Sequence, residues 1–131
     1  MNFTSVFNVK WFIILFFFTA IVFTFTHIPQ QVLPVLLQMN GLDKVLHALA
    51  YGIITFLFIL SFRVSHNSMF NLIPLLTILA FAAVDELTQN FVGRTATLYD
   101  WIADLAGIIF AQSIFLYHNR IESRVSLNNS F

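Results

Sequence analysis

The sequence predicts an all-α integral membrane protein, a bundle of four transmembrane helices with polar motif residues clustered at one membrane face. Three observations lead there. Apolar residues make up 59% of the 131-residue chain, charged residues only 9%, and Phe alone occurs 17 times. No soluble domain of this size needs so much apolar surface. The apolar residues fall into blocks near the roughly 20 residues that cross ~30 Å of hydrocarbon. Finally, five of the chain's six acidic residues, Asp43, Asp85, Glu86, Asp100 and Asp104, lie where those blocks begin or end. Formal net charge is zero, which argues against a nucleic-acid partner, because phosphate binding calls for a basic stripe. The absence of Cys removes disulfides, thiolate metal sites and Cys nucleophiles.

The first block, 11–26, reads WFIILFFFTAIVFTFT behind Lys10. No small-x-small cleavage site follows it, and Pro29 stops the helix, so a retained signal anchor is expected rather than a cleaved peptide. Residues 1–10 form the N-terminus ahead of it. The stretch VLPVLLQM in the connection that follows suits the membrane interface. The second block, 45–62, ends at Arg63 and a short polar turn. The third, 69–91, carries Pro74 near its start, where proline is tolerated best, and meets its stop at Gly93. The fourth, 99–117, holds Asp100 and Asp104 in its first two turns. Together 11–117 make the membrane domain, and 118–131 is expected to be a disordered polar tail.

Four spans place Lys10, Arg63, Arg120 and Arg124 on one side and Lys44 and Arg94 on the other. Basic residues stay on the cytoplasmic face, so both termini are expected inside, with the acidic face outside. Trp11, Tyr99, Trp101 and Tyr117 fall at segment borders, where amphipathic rings settle.

Asp43, His47 and Tyr51 are spaced four apart and form one stripe on the second helix. Asp85 and Gln89 share a face of the third, with Glu86 offset toward a neighbour. Two carboxylates at a helix C-terminus oppose its dipole, which a purely structural helix end would avoid. Asp100 can cap the fourth helix, whereas Asp104 lies a turn deeper and must find a partner inside the bundle, with His47, Asp85 and Arg94 as candidates. Gly107 with Ala103, Ala106 and Ala111 offers small surfaces for close packing. The structural alternative makes Asp43 an N-cap, Lys44 a snorkelling cation and His47 an interfacial hydrogen bonder. Five carboxylates against two cations leave a formal charge of −3 on this face. Protonation, a bound divalent cation or a cationic ligand group would each relieve it.

The three pieces D-K-x-x-H-x-x-x-Y (Asp43 to Tyr51), D-E-x-x-Q-x-x-x-x-R (Asp85 to Arg94) and D-x-x-x-D-x-x-G (Asp100 to Gly107) resemble the VanZ-like family. The resemblance covers residues 43–107 and the four-span layout. It implies a small membrane protein of the bacterial cytoplasmic (inner) membrane, from a family whose founding member lowers susceptibility to the glycopeptide teicoplanin. It also implies motif residues at Asp43, Lys44, His47, Tyr51, Asp85, Glu86, Gln89, Arg94, Asp100, Asp104 and Gly107. Two departures stand out: Asp104 where the family often has Asn, and Gly93-Arg94 without the usual preceding Pro.

Two functional readings lead. In the first, the polar face recognises a membrane lipid headgroup or lipid-linked cell-envelope intermediate, with Lys44 and Arg94 meeting phosphate and the carboxyls orienting amines or hydroxyls. The second is a metal-dependent hydrolase acting on a lipid-linked substrate. There His47, Asp85 and Glu86 are the catalytic candidates, and His47, Asp85, Glu86 and Asp100 the candidate ligands of a divalent cation. Its weakness is that no H-x-x-x-H, H-E-x-x-H or G-x-S-x-G spacing occurs. A proton-coupled transporter would use Asp104 and His47 as relays and would need a homo-oligomer, and a passive structural role would leave the charges as caps and topology signals.

Overall fold

The computed structural model describes residues 7–34, 41–62, 68–94 and 97–128. They form helices α1 (Val9–Thr26), α2 (Leu42–Phe62), α3 (Ser68–Gln89) and α4 (Leu98–Asn128), with single 3₁₀ turns at Gln30–Val32 and Asn90–Val92. All four helices are long and apolar enough to cross a membrane. Arg63, the polar turn after it, most of the interfacial VLPVLLQM stretch and the Arg124 side chain lie outside the described residues.

Local chemistry sets the helix ends. The Asn8 side chain accepts from the Trp11 N–H at the start of α1, and His27 ends that helix two residues before Pro29. Gly93, at φ 73°, closes the end of α3. There the Gly93 N–H donates to the Asn90 carbonyl at 3.4 Å and the Arg94 N–H to the Gln89 carbonyl at 3.3 Å. This paired pattern is the Schellman closure that a left-handed glycine permits. Thr97 and Asp100 cap α4 reciprocally. The Asp100 N–H donates to Thr97 Oγ1 at 3.3 Å, while the Thr97 N–H donates to Asp100 Oδ2 at 3.1 Å.

The helices run alternately up and down. At one end the Asn8 N–H donates to the Ser61 carbonyl at 2.7 Å, joining the start of α1 to the end of α2. At the other end, residues of all four helices meet in the polar cluster described below. The most extensive packing is between α2 and α4, and small residues allow it. A Cβ on Gly107 would stand 2.0 Å from the Ala48 carbonyl oxygen, and one on Gly52 would stand 3.3 Å from the Gly107 carbonyl oxygen. Tyr51, Ile54, Ile78, Ala82 and Ile108 form the core beside this contact. In contrast, α1 buries only Leu15, Val22 and Thr26, and turns Phe16 and Phe17, each about 60% exposed, outward. So much outward apolar surface suits acyl chains and not water.

Helix ends differ from the sequence expectation by one to three residues, as where α2 starts at Leu42 and α3 ends at Gln89, and by far more at the C-terminal end of α4. The tail expected to be disordered continues α4 as far as Asn128. Residues 118–128 contain no Gly or Pro, and Arg, Glu and Leu are good helix formers, so polarity alone does not end the helix.

Candidate functional site

The three motif pieces converge at the end of the bundle where α1 and α3 finish and α2 and α4 begin. At 1.5 Å per residue, His47 lies about 7 Å along α2 and Asp104 about 9 Å along α4. The stripe expected on α2 is present: Tyr51 and His47 are buried, and Asp43 is half-buried at the end. Asp85, Glu86, Gln89, Asp100 and Asp104 are all buried with them.

Each polar group has a definable place. Asp85 accepts from the Tyr51 hydroxyl at 2.9 Å and from Thr26 Oγ1 at 2.8 Å. Gln89 Nε2 lies 3.4 Å from both Asp85 Oδ2 and Glu86 Oε1. The Gln89 amide thus bridges the two neighbouring carboxyls of α3. His47 Nδ1 contacts Asp104 Oδ1 at 2.9 Å and Glu86 Oε1 at 3.6 Å, and its Nε2 faces Asp43 Oδ1 at 3.9 Å. Of the partners expected for Asp104, the structure selects His47.

The two cations are committed to acids at the rim. Arg94 Nη2 donates to Asp43 Oδ1 at 3.0 Å, and Nη1 donates to the Phe25 and Thr26 carbonyls at 3.1 Å each. Those carbonyls belong to the last turn of α1, where Phe25 otherwise accepts only from the Ile28 N–H at 3.3 Å among the described residues, so Arg94 caps α1 from a distant point in the chain. Lys44 pairs with Asp100 and with Asp43. Thr97 Oγ1 donates to Asp100 Oδ2 at 2.6 Å, so Asp100 both caps α4 and neutralises Lys44.

Sequence reading overlooked four contributors: Thr26, His27, Thr88 and Thr97. The His27 ring stacks on Phe23 with centroids 3.9 Å apart, its Nδ1 lies 2.8 Å from the Phe23 carbonyl, and its Nε2 lies 2.9 Å from Thr88 Oγ1. It thereby links α1 to α3 just outside Asp85, which is 3.6 Å from Nδ1. The T-x-x-D spacing of Thr97 and Asp100 was the available signal for one of them. Hydroxyls at Thr26 and Thr88 carry no such signature.

A cleft of about 320 Å³ opens between α1 and α2 beside this cluster. Ile21, Val22, Phe25, Leu46 and Ala50 make its apolar walls, and Asp43, His47, Tyr51 and Arg94 make its polar end. A second cleft, among α1, α2 and α3, has no charged residue in its lining, where Phe12, Phe16, Phe58 and Phe81 stand with Thr19, Thr24 and Thr77. Only the first therefore joins a chain-sized apolar groove to charged groups.

Candidate metal ligands divide in two. Asp43, His47 and Asp100 approach one another, as do His47, Glu86 and Asp104, with one ligand atom from each residue within 4.8 Å of the others in both groups. Of the ligands expected from the sequence, His47 and Glu86 are in the second group, Asp100 is in the first, and Asp85 is in neither. Its oxygens are held by Tyr51, Thr26 and Gln89. Comparisons with protein-family models, with curated proteins and with solved structures found no match to this chain.

Proposed function

We propose that this protein binds a membrane amphiphile carrying a phosphate headgroup, a lipid or a lipid-linked cell-envelope intermediate, at the outer face of a bacterial inner membrane. The observation that carries the reading is the cleft between α1 and α2, whose apolar walls end at Asp43, His47, Tyr51 and Arg94. A hydrocarbon chain in that groove would lie at the depth of the bilayer's own chains, while its headgroup would meet polar side chains. The three bonds of Arg94 leave its Nε–H and one Nη2–H for phosphate oxygens. Lys44 is held by two carboxylates and contributes through the charge of the rim. The resemblance to VanZ-like proteins extends the proposal to envelope precursors, and through them to glycopeptide susceptibility.

The test is binding of a polyprenyl phosphate and of phosphatidylglycerol to detergent-purified protein, followed by native mass spectrometry. Ala50→Trp fills the groove and Arg94→Ala removes the fork. Each should weaken binding at least tenfold with helicity retained. Equal binding by both variants and the wild type would refute the proposal.

A further inference from the structure

Outside the rim ion pairs, Glu86 and Asp104 form a separate problem. Both are buried, at 6% and 0% exposure, and both approach the same nitrogen, His47 Nδ1. That nitrogen carries at most one proton, so it cannot donate to both carboxylates. Glu86 Oε2 and Asp104 Oδ2 are buried and have no hydrogen-bond partner among the described residues. A buried carboxylate oxygen with no donor is costly, by about 1–3 kcal/mol or more.

We propose that His47, Glu86 and Asp104 hold one divalent transition-metal ion. Two ligand atoms about 2.1 Å from a common ion, at tetrahedral or octahedral angles, lie about 3.0–3.4 Å apart. His47 Nδ1 stands 2.9 Å from Asp104 Oδ1 and 3.6 Å from Glu86 Oε1, which brackets that spacing, and bidentate binding of the two carboxylates would give the unpartnered Asp104 Oδ2 and Glu86 Oε2 the ion as a partner. The charges balance as well: two carboxylates and a neutral imidazole match a dication. In that state the proton resides on His47 Nε2, on the side of Asp43, whose Oδ1 lies 3.9 Å away, beyond direct hydrogen-bond distance. Gln89, 3.4 Å from Glu86 Oε1, steadies the second ligand.

The other group, Asp43, His47 and Asp100, has no such need. Arg94 and Lys44 already neutralise its two carboxylates. A ligand set of one imidazole and two carboxylates suits Zn²⁺ or Mn²⁺, whereas Ca²⁺ and Mg²⁺ favour all-oxygen shells. This inference does not depend on what occupies the cleft, although His47 belongs to both.

Metal content of the full chain, purified in detergent without added metal, should be about one equivalent of a transition metal. After chelation, Mn²⁺ added back should show one site whose pulsed-EPR spectrum carries ¹⁴N coupling from an imidazole. Glu86→Gln and Asp104→Asn, which keep side-chain shape, should each weaken Mn²⁺ binding at least tenfold, and Asn90→Ala, at the exposed end of the cluster, should leave it unchanged. A wild-type spectrum without nitrogen coupling, or undiminished binding in the Glu86→Gln/Asp104→Asn double variant, overturns the proposal. Polyprenyl-phosphate binding measured on the same protein before chelation and after Mn²⁺ is added back separates the two readings: protein that takes up Mn²⁺ with imidazole coupling but binds no polyprenyl phosphate would count against the amphiphile alone.

Discussion

Arg94 does three things with one planar group, because the Schellman turn at Gly93 directs the chain back over the end of α1. Its guanidinium meets Asp43 and the Phe25 and Thr26 carbonyls at once. Lysine keeps the charge but has no fork and cannot span those acceptors in the same geometry. Arg94→Lys should therefore lower stability by about 2 kcal/mol, the scale of one or two charge-assisted bonds, read as a lower thermal midpoint in detergent. An unchanged midpoint would mean that charge alone suffices. At this scale the residue types were legible, since acids and bases at the ends of apolar runs have few uses. Their pairings were not. Arg94 is a candidate partner for Asp104 in the sequence, yet it reaches Asp43, a partner fixed only by how α1, α2 and the end of α3 come together.

Among the elements, α2 and α4 set the position of the site, and backbone proximity governs their contact. At Gly107 the atom opposing a new Cβ is the Ala48 carbonyl oxygen, at 2.0 Å, which cannot rotate away. Gly107→Ala must push the helices apart and should destabilise by about 3 kcal/mol, at the upper end of ordinary overpacking. Gly52→Ala, at 3.3 Å, should cost well under half of that. Comparing the two thermal midpoints checks the order, and equal losses would place the tight contact elsewhere. Because His47 and Asp104 ride on these helices, Gly107→Ala should also weaken any ligand that needs both. Thr97→Ala removes the hydroxyl shared with Asp100 and should cost about 1 kcal/mol, the ordinary loss of an N-cap, again in the thermal midpoint. The small-residue surface on α4 was readable from sequence, but its partner on α2 was not, because Gly52 and Ala48 form no motif by themselves. The length of α4 is hidden for the opposite reason: its last turns are polar, and a polar composition suggests disorder even where no residue breaks the helix.

For the whole molecule, the alternating helices gather Asp43, Asp85, Glu86, Asp100 and Asp104 at one end and leave Lys10 and Arg120 at the other, the asymmetry from which the outward-facing site is proposed. That layout was legible because apolar length and charge placement are properties of the chain itself, whereas the cleft exists only once α1 and α2 are set side by side. The chain contains no cysteine, so single substitutions report topology cleanly. Phe91→Cys, on an 87% exposed position beside the polar cluster, should react with a membrane-impermeant maleimide applied outside intact spheroplasts. Val125→Cys, in the polar turns that extend α4, should react only after lysis. The reverse pattern would turn the Asp43, His47 and Arg94 end of the cleft toward the cytoplasm. A headgroup bound there would then belong to an inner-leaflet lipid, and an effect on extracellular glycopeptides could not arise from direct contact at this site.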